Sequence, residues 1–137
     1  MTPCAKKPTH KPPGCRTSAV RSAMLKSLTT NHCQTAEQLM AGFPKNKRPH
    51  KTTIYREIVC LLDNGLIHEL NFGDGRKTYE LADNRHHHHL ICLKCGWVHP
   101  IFMQHDLEKD VSKSAKKQGF TVTKHSLEFF GYCQKCN

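Results

Sequence analysis

Four cysteines are spaced to hold one metal ion. Cys92 and Cys95 form one Cys-x-x-Cys pair, Cys133 and Cys136 form another, and 37 residues separate the pairs. Each pair offers two thiolates from one tight turn, and four thiolates complete the closed tetrahedral shell of a structural Zn(2+). A dithiol redox motif needs one such pair near a βαβ pattern, which this chain does not present. Directly upstream runs His86-His87-His88-His89, an internal stretch that continues into the apolar Leu90 and Ile91. On a strand, successive side chains point to opposite faces. His86 and His88 would then face one way and His87 and His89 the other. One strand could thus lend two imidazoles to each of two further metal sites.

A chain of 137 residues allows one domain or two small ones. Small domains bury limited core, so a structural metal is a useful staple. The first fourteen residues are polar, lysine-bearing and proline-rich, with no apolar segment of the kind found in a signal peptide. No apolar run approaches a membrane span. These features predict a cytoplasmic protein with no membrane partner, where reducing conditions suit zinc-bound thiolates better than disulfides. Cys4, Cys15 and Cys60 are read as bystanders, Cys60 on the far side of its helix.

The net charge of +10 is unevenly placed: residues 1–56 hold eleven Lys and Arg against the single acid Glu37. Residues 57–137 balance ten basic against ten acidic side chains. Such asymmetry predicts that the N-terminal part binds a polyanion.

The elements that must position these groups are legible in outline. Residues 1–14 read as a flexible basic arm. Val20, Met24 and Leu28 recur at i, i+4, i+8 and predict a helix over 16–29. A second helix is expected from Thr35, its cap, to about Ala41, with Ala36, Leu39 and Met40 inward. A third is expected from Lys51 to Asn64, stopping at Gly65, with Ile54, Ile58, Leu61 and Leu62 as its apolar stripe. Residues 66–70 and 77–81 read as strands joined through the turn signal Gly73-Asp74-Gly75. Three helices and a hairpin make a winged helix-turn-helix. Its third helix would enter the major groove of duplex DNA, with Lys51, Thr52, Thr53, Tyr55 and Arg56 near the bases and phosphates. Arg16, at the start of the first helix, is a further candidate contact.

Asp83-Asn84-Arg85 reads as a hinge, dividing residues 1–82 from 83–137. Beyond it, strands are expected over 86–93, 97–102, 120–122 and 126–132. A helix is expected over 106–118, with Leu107, Val111 and Ala115 inward. The fold class is therefore α+β: an N-terminal winged helix-turn-helix followed by a small α/β domain with a structural zinc. A sheet this small could be completed by a second copy of the chain.

The succession Thr53-Ile54-Tyr55-Arg56, the run from His86 to Gly96, then His125-Ser126-Leu127 and the pair Cys133/Cys136 resembles the ferric uptake regulator family, over roughly residues 16–136. The resemblance implies a cytoplasmic homodimer that represses transcription at double-stranded operator DNA when a divalent metal fills a sensor site. It makes the C-terminal domain the dimerisation domain. It puts the structural zinc on Cys92, Cys95, Cys133 and Cys136, and the regulatory metal on Glu80, His87 and His89 plus one ligand from Asn31-His32-Cys33. An ungapped match puts Cys33 at that last place, where a histidine is usual, and His32 stands beside it. An additional metal site falls on His86, His88, Glu108 and His125. Members respond to iron, zinc, manganese or peroxide, so Fe(2+) or Zn(2+), with Mn(2+) as a further candidate, is the expected regulatory ion.

Three departures bear on the metal. His88 stands where an aspartate is frequent, Cys33 where a histidine is, and His99-Pro100 where many members carry an acid. The first two make the sites softer, which suits zinc, while carboxylate and imidazole also suit iron and manganese. Repression of iron-uptake genes is the leading expectation, with a zinc-uptake regulator or a peroxide sensor on the same fold as alternatives. A zinc hydrolase would need an open coordination position and a general base. No His-Glu-x-x-His or deaminase pattern is present, so no enzymatic activity is expected. A zinc-ribbon RNA-binding protein fits the basic helix-hairpin half less well than a duplex-DNA reader does.

Overall fold

A computed structural model describes residues 18–82, 85–103 and 107–137. The basic arm, Arg16, and Asp83 and Asn84 of the hinge lie outside the described residues. Two compact units divide the chain, Met1–Ala82 and Asp83–Asn137.

The first unit runs α1 (Ala19–Thr30), β1 (Cys33–Thr35), α2 (Ala36–Ala41), a 3-10 turn (Lys45–Lys47), α3 (Lys51–Asp63), β2 (Ile67–Asn71) and β3 (Lys77–Leu81). Ser18 starts α1 by accepting the backbone N–H of Arg21 at 3.0 Å. The predicted periodicities are the buried faces: Met24 and Leu28 on α1, Leu39 on α2, and Ile54, Ile58 and Leu61 on α3 are almost fully buried, joined by Ile67 and Tyr79 from the sheet. Each such aliphatic side chain contributes about 1.5–3 kcal/mol through loss of water contact. Gly65 holds a φ of +62°, a left-handed conformation that ends α3 and reverses the chain into β2. The sheet order is β1-β3-β2, antiparallel throughout, with Cys33 opposite Glu80 and His68 on Glu80's other side.

Two details depart from the sequence reading. Residues 33–35 are a strand, not loop, and Thr35 ends that strand while capping the next helix. Its hydroxyl accepts from Gln38 N–H at 3.2 Å, and the Gln38 side chain accepts from Thr35 N–H at 2.8 Å. This reciprocal box satisfies two donors that a helix start otherwise leaves open. Thr35→Ala is expected to cost about 1 kcal/mol, read as a lower urea midpoint with an unchanged slope. Cys60 is no far-side bystander, being buried and disulfide-bonded. Its position three residues after the buried Glu57 puts it on the inner face of α3.

A charged clip also ties α1 to α3. Arg21 donates to Glu57 Oε2 through Nε at 2.9 Å and Nη2 at 2.8 Å, and Ser18 Oγ donates to Glu57 Oε1 at 3.0 Å. Both charged side chains are largely out of water.

The second unit contains β4 (His88–Cys92), β5 (Val98–Ile101), α4 (Leu107–Lys117) and β6 (Glu128–Gly131). β4 is central, antiparallel to β5 and parallel to β6. Residues 120–122, expected as a strand, are irregular. The expected inward stripe of α4 is not buried: Leu107 and Val111 are exposed, and no residue of the helix is buried. Among the described residues, Ile91 and Cys92 are the unit's only buried apolar side chains, while Trp97, Phe120, Phe130 and Tyr132 are each about half exposed or more. An apolar core alone cannot account for such a unit.

Candidate metal centres and nucleic-acid face

The knuckle is built at the ends of two paired strands. Cys92 closes β4, and Cys133 follows β6, whose Gly131 lies beside Cys92 in the parallel register. Gly96, at φ +71°, completes the turn after Cys95. Ligand atoms of Cys92, Cys95, Cys133 and Cys136 all lie within 4.8 Å of one another, and Cys95 Sγ is 3.8 Å from Cys133 Sγ. A zinc–sulfur bond of about 2.3 Å in tetrahedral geometry sets sulfur–sulfur separations of about 3.8 Å. The donor set therefore fits a structural zinc. The backbone helps: the N–H of Cys133 reaches Cys92 Sγ at 3.4 Å. That hydrogen bond, with a second from Cys95, draws the Cys92 thiol down to about 6 and favours the thiolate. Hydrogen bonding with Cys133 pushes Cys136 up to about 12 instead. A shared proton among crowded sulfurs is what a cation displaces.

The histidine run divides as the alternation argument expects, although β4 begins only at His88. Rings of His86 and His88 meet edge-on at 4.6 Å, and those of His87 and His89 at 4.9 Å. His86, His88 and His125 bring ring nitrogens within 4.8 Å of one another, with His86 Nε2 3.2 Å from His88 Nε2. Tetrahedral zinc–nitrogen bonds of about 2.0–2.1 Å require about 3.4 Å. Burial, then the neighbouring His86 and His125, holds the His88 imidazole below its ordinary pKa, hence neutral and able to ligate. Glu108 adjoins this trio. Its Oε1 lies 3.4 Å from His86 Nδ1 and 3.3 Å from His125 Nδ1. For His86 that is the nitrogen facing away from His88, the position from which a carboxylate orients a metal-bound imidazole.

In the first unit, His32, Cys33 and Glu80 converge. Glu80 Oε2 lies 3.1 Å from His32 Nε2 and accepts from Cys33 Sγ at 3.6 Å. The register of β1 against β3 makes this meeting, which is why reading residues 31–33 as loop could not foresee it. Burial first, then the charge of Glu80, raises the Cys33 thiol well above its ordinary range, so that without a metal it stays protonated.

On α3, Lys51, Thr52, Tyr55 and Arg56 are exposed and Thr53 is partly so. Tyr55 donates to Glu37 at 3.4 Å, and Lys51 Nζ sits 5.7 Å from the Tyr55 ring centre. Lys45, Lys47 and Arg48, in the connection before α3, are exposed as well. The first turns of α3 thus present a basic, hydrogen-bonding surface of the kind that meets a phosphate backbone.

A winged helix with a basic face on α3 is thus followed by a unit carrying a four-cysteine knuckle and a histidine-bearing strand, a combination of one candidate nucleic-acid surface with several candidate metal centres. The family model for "Ferric uptake regulator family" matches residues 13–130. The chain belongs to the ferric uptake regulator family. A ferric uptake regulation protein of Cupriavidus metallidurans is 36% identical over 83 residues, covering 61% of this chain and 57% of that one. The chain thus spans little more than half the length of that curated relative. The ferric uptake regulation protein of Shigella flexneri is 33% identical over 126 residues, covering 90% and 84%. The crystal structure of the Vibrio cholerae ferric uptake regulator superposes with a TM-score of 0.72 at 28% identity, covering 86% of this chain and 92% of that one. Among the described residues no helix is long and apolar enough to cross a membrane.

Proposed function

We propose that this protein is a cytoplasmic, metal-dependent repressor that binds operator DNA as a homodimer and controls iron-uptake genes. The observation that carries the reading is the combination, in one family member, of an exposed basic α3 with three sets of metal-ligand side chains. Residues 1–82 are the DNA-binding domain, with Lys51, Thr52, Thr53, Tyr55, Arg56 and Arg16 against the duplex. Residues 83–137 are the dimerisation and metal-binding domain, and the half-exposed Trp97, Phe130 and Tyr132 supply the apolar surface a second copy would cover.

Cys92, Cys95, Cys133 and Cys136 hold a structural Zn(2+). Glu80, His87 and His89, with His32 or Cys33, hold the regulatory ion. His86, His88, Glu108 and His125 hold an additional one. A bound divalent cation supplies positive charge and fixed bond directions to side chains that otherwise repel or drift. Metal occupancy that favours one state of the DNA-reading helices over others is linked to DNA binding in both directions.

The test is duplex-DNA binding by mildly chelated protein that keeps its cysteine-bound zinc, titrated anaerobically with buffered Fe(II) and, separately, Zn(II). Recovery of binding at micromolar-range free Fe(II), against little effect of Zn(II) at the levels cells permit, is the expected result. Binding to the same duplex that is unaltered by removing or restoring the metal would refute the regulator. A second reading, a zinc-uptake regulator, is favoured by one observation, the Cys33 thiol on Glu80. Recovery of binding at sub-nanomolar Zn(II) would select it.

A further inference from the structure

We infer that Cys33 donates a thiolate to the regulatory metal alongside His32, not in its place, which adds a sulfur donor to the site and turns it away from oxygen-preferring ions such as manganese. The inference rests on the proposed role of Glu80 as a regulatory ligand. It goes further by fixing which donors the first unit contributes and which metals they select.

Cys33 is held by β1, directly opposite Glu80. His32 lies in the bend before that strand begins, so the alternation that would turn adjacent side chains apart does not govern it. Both side chains accordingly reach the same atom, Glu80 Oε2, Cys33 Sγ at 3.6 Å and His32 Nε2 at 3.1 Å. Zinc bonds of about 2.3 Å to sulfur and 2.0–2.2 Å to oxygen, at a tetrahedral angle, place those two atoms about 3.6 Å apart. The corresponding nitrogen–oxygen separation is about 3.4 Å. Cys33 on β1 and His32 in the bend before it therefore each stand, relative to one carboxylate oxygen, close to the separation that shared zinc coordination imposes. The carboxylate is buried and the imidazole and thiol are partly so, which limits competition from water.

Coordination requires only a proton exchange. The Cys33 S–H bond breaks, its proton leaves to solvent, the sulfur's electron pair goes to the metal, and nothing is oxidised or reduced. A thiolate added to nitrogen and oxygen donors favours zinc and cobalt over manganese, which prefers oxygen.

The test uses the full-length protein with zinc retained in the cysteine knuckle, titrated with Co(II) and followed by optical absorption. The expected result is a near-ultraviolet thiolate-to-cobalt charge-transfer band that grows with the visible ligand-field bands of the first cobalt bound. Cys33→Ser and Cys33→Ala should lose the charge-transfer band while retaining cobalt, and His32→Ala should keep it. Zinc affinity of the Cys33 variants should fall by more than about tenfold, since loss of even an outer-shell partner costs 10–100-fold. Equal charge-transfer intensity per bound cobalt in wild type and Cys33→Ser would overturn the inference while leaving the regulatory site standing. Loss of the band in His32→Ala would overturn the joint role. No cobalt uptake beyond the knuckle in any of these proteins would overturn both the inference and the regulatory site beneath it.

Discussion

Cys133→Ser is expected to release the knuckle's metal and unfold the second unit while the winged helix keeps its structure. The unit has almost no apolar core of its own: among its described residues only Ile91 and Cys92 are buried apolar side chains, and α4 buries none. Structural zinc in small domains contributes apparent binding energies of about 10–16 kcal/mol. A whole domain is typically stable by about 5–15 kcal/mol. Release of the ion therefore removes a quantity as large as a fold's entire margin. Trp97 is the chain's single tryptophan and lies in this unit, so its emission reports there alone, while far-ultraviolet circular dichroism follows the helices of the first unit. The variant should contain less than one zinc per chain, with red-shifted Trp97 emission and a surviving helical transition. A metal-free variant with native emission and an unchanged unfolding curve would show that the cysteines are not structural.

Glu57→Gln is expected to be the most damaging single change in the first unit outside its apolar core. It removes a carboxylate that holds Arg21, which sits largely out of water with two of its nitrogens on one carboxylate oxygen. Breaking such a pair from one side costs about 3–5 kcal/mol, because the remaining charge stays buried. For a unit of this size that lowers the melting temperature by on the order of 15 °C. The double variant Arg21→Met/Glu57→Leu should recover much of the loss, since an apolar pair of similar volume needs no compensation. Additive losses in the double variant would mean that the two residues do not act as a pair.

What could be read in advance followed the range over which each signal acts. The α3 stripe of Ile54, Ile58 and Leu61 repeats within three turns and faces a core made by the same unit, so periodicity found it. The same reasoning overreached on α4, whose stripe at Leu107 and Val111 has the right spacing but no cover within one chain. Residues 120–122 have strand-forming side chains, yet propensity carries little weight without a neighbouring strand. β1 is only three residues long and exists through its pairing with β3, 43 to 47 positions away, which no local pattern announces. The candidate metal ligands were legible for a different reason. Coordination restricts residue type and spacing together, and the pairs of cysteines and the alternating histidines satisfy both. What the sequence left open, whether residue 32 or 33 faces Glu80, depended on that unforeseen strand.

The parallel pairing of β4 with β6 also has a consequence for the order of events during synthesis. Cys133 stands 38 positions after Cys95, and the strand that brings it home is made after the other described strands. Every contact in the first unit is available to the ribosome-bound chain before either half of the knuckle can close, and domains fold N-terminal first as they emerge. Distant pairings of this kind are intrinsically slow to form. A newly made molecule therefore completes its winged helix early and brings its four cysteines together late. Until the second pair of cysteines arrives, a finished winged helix is tethered to a half-made knuckle.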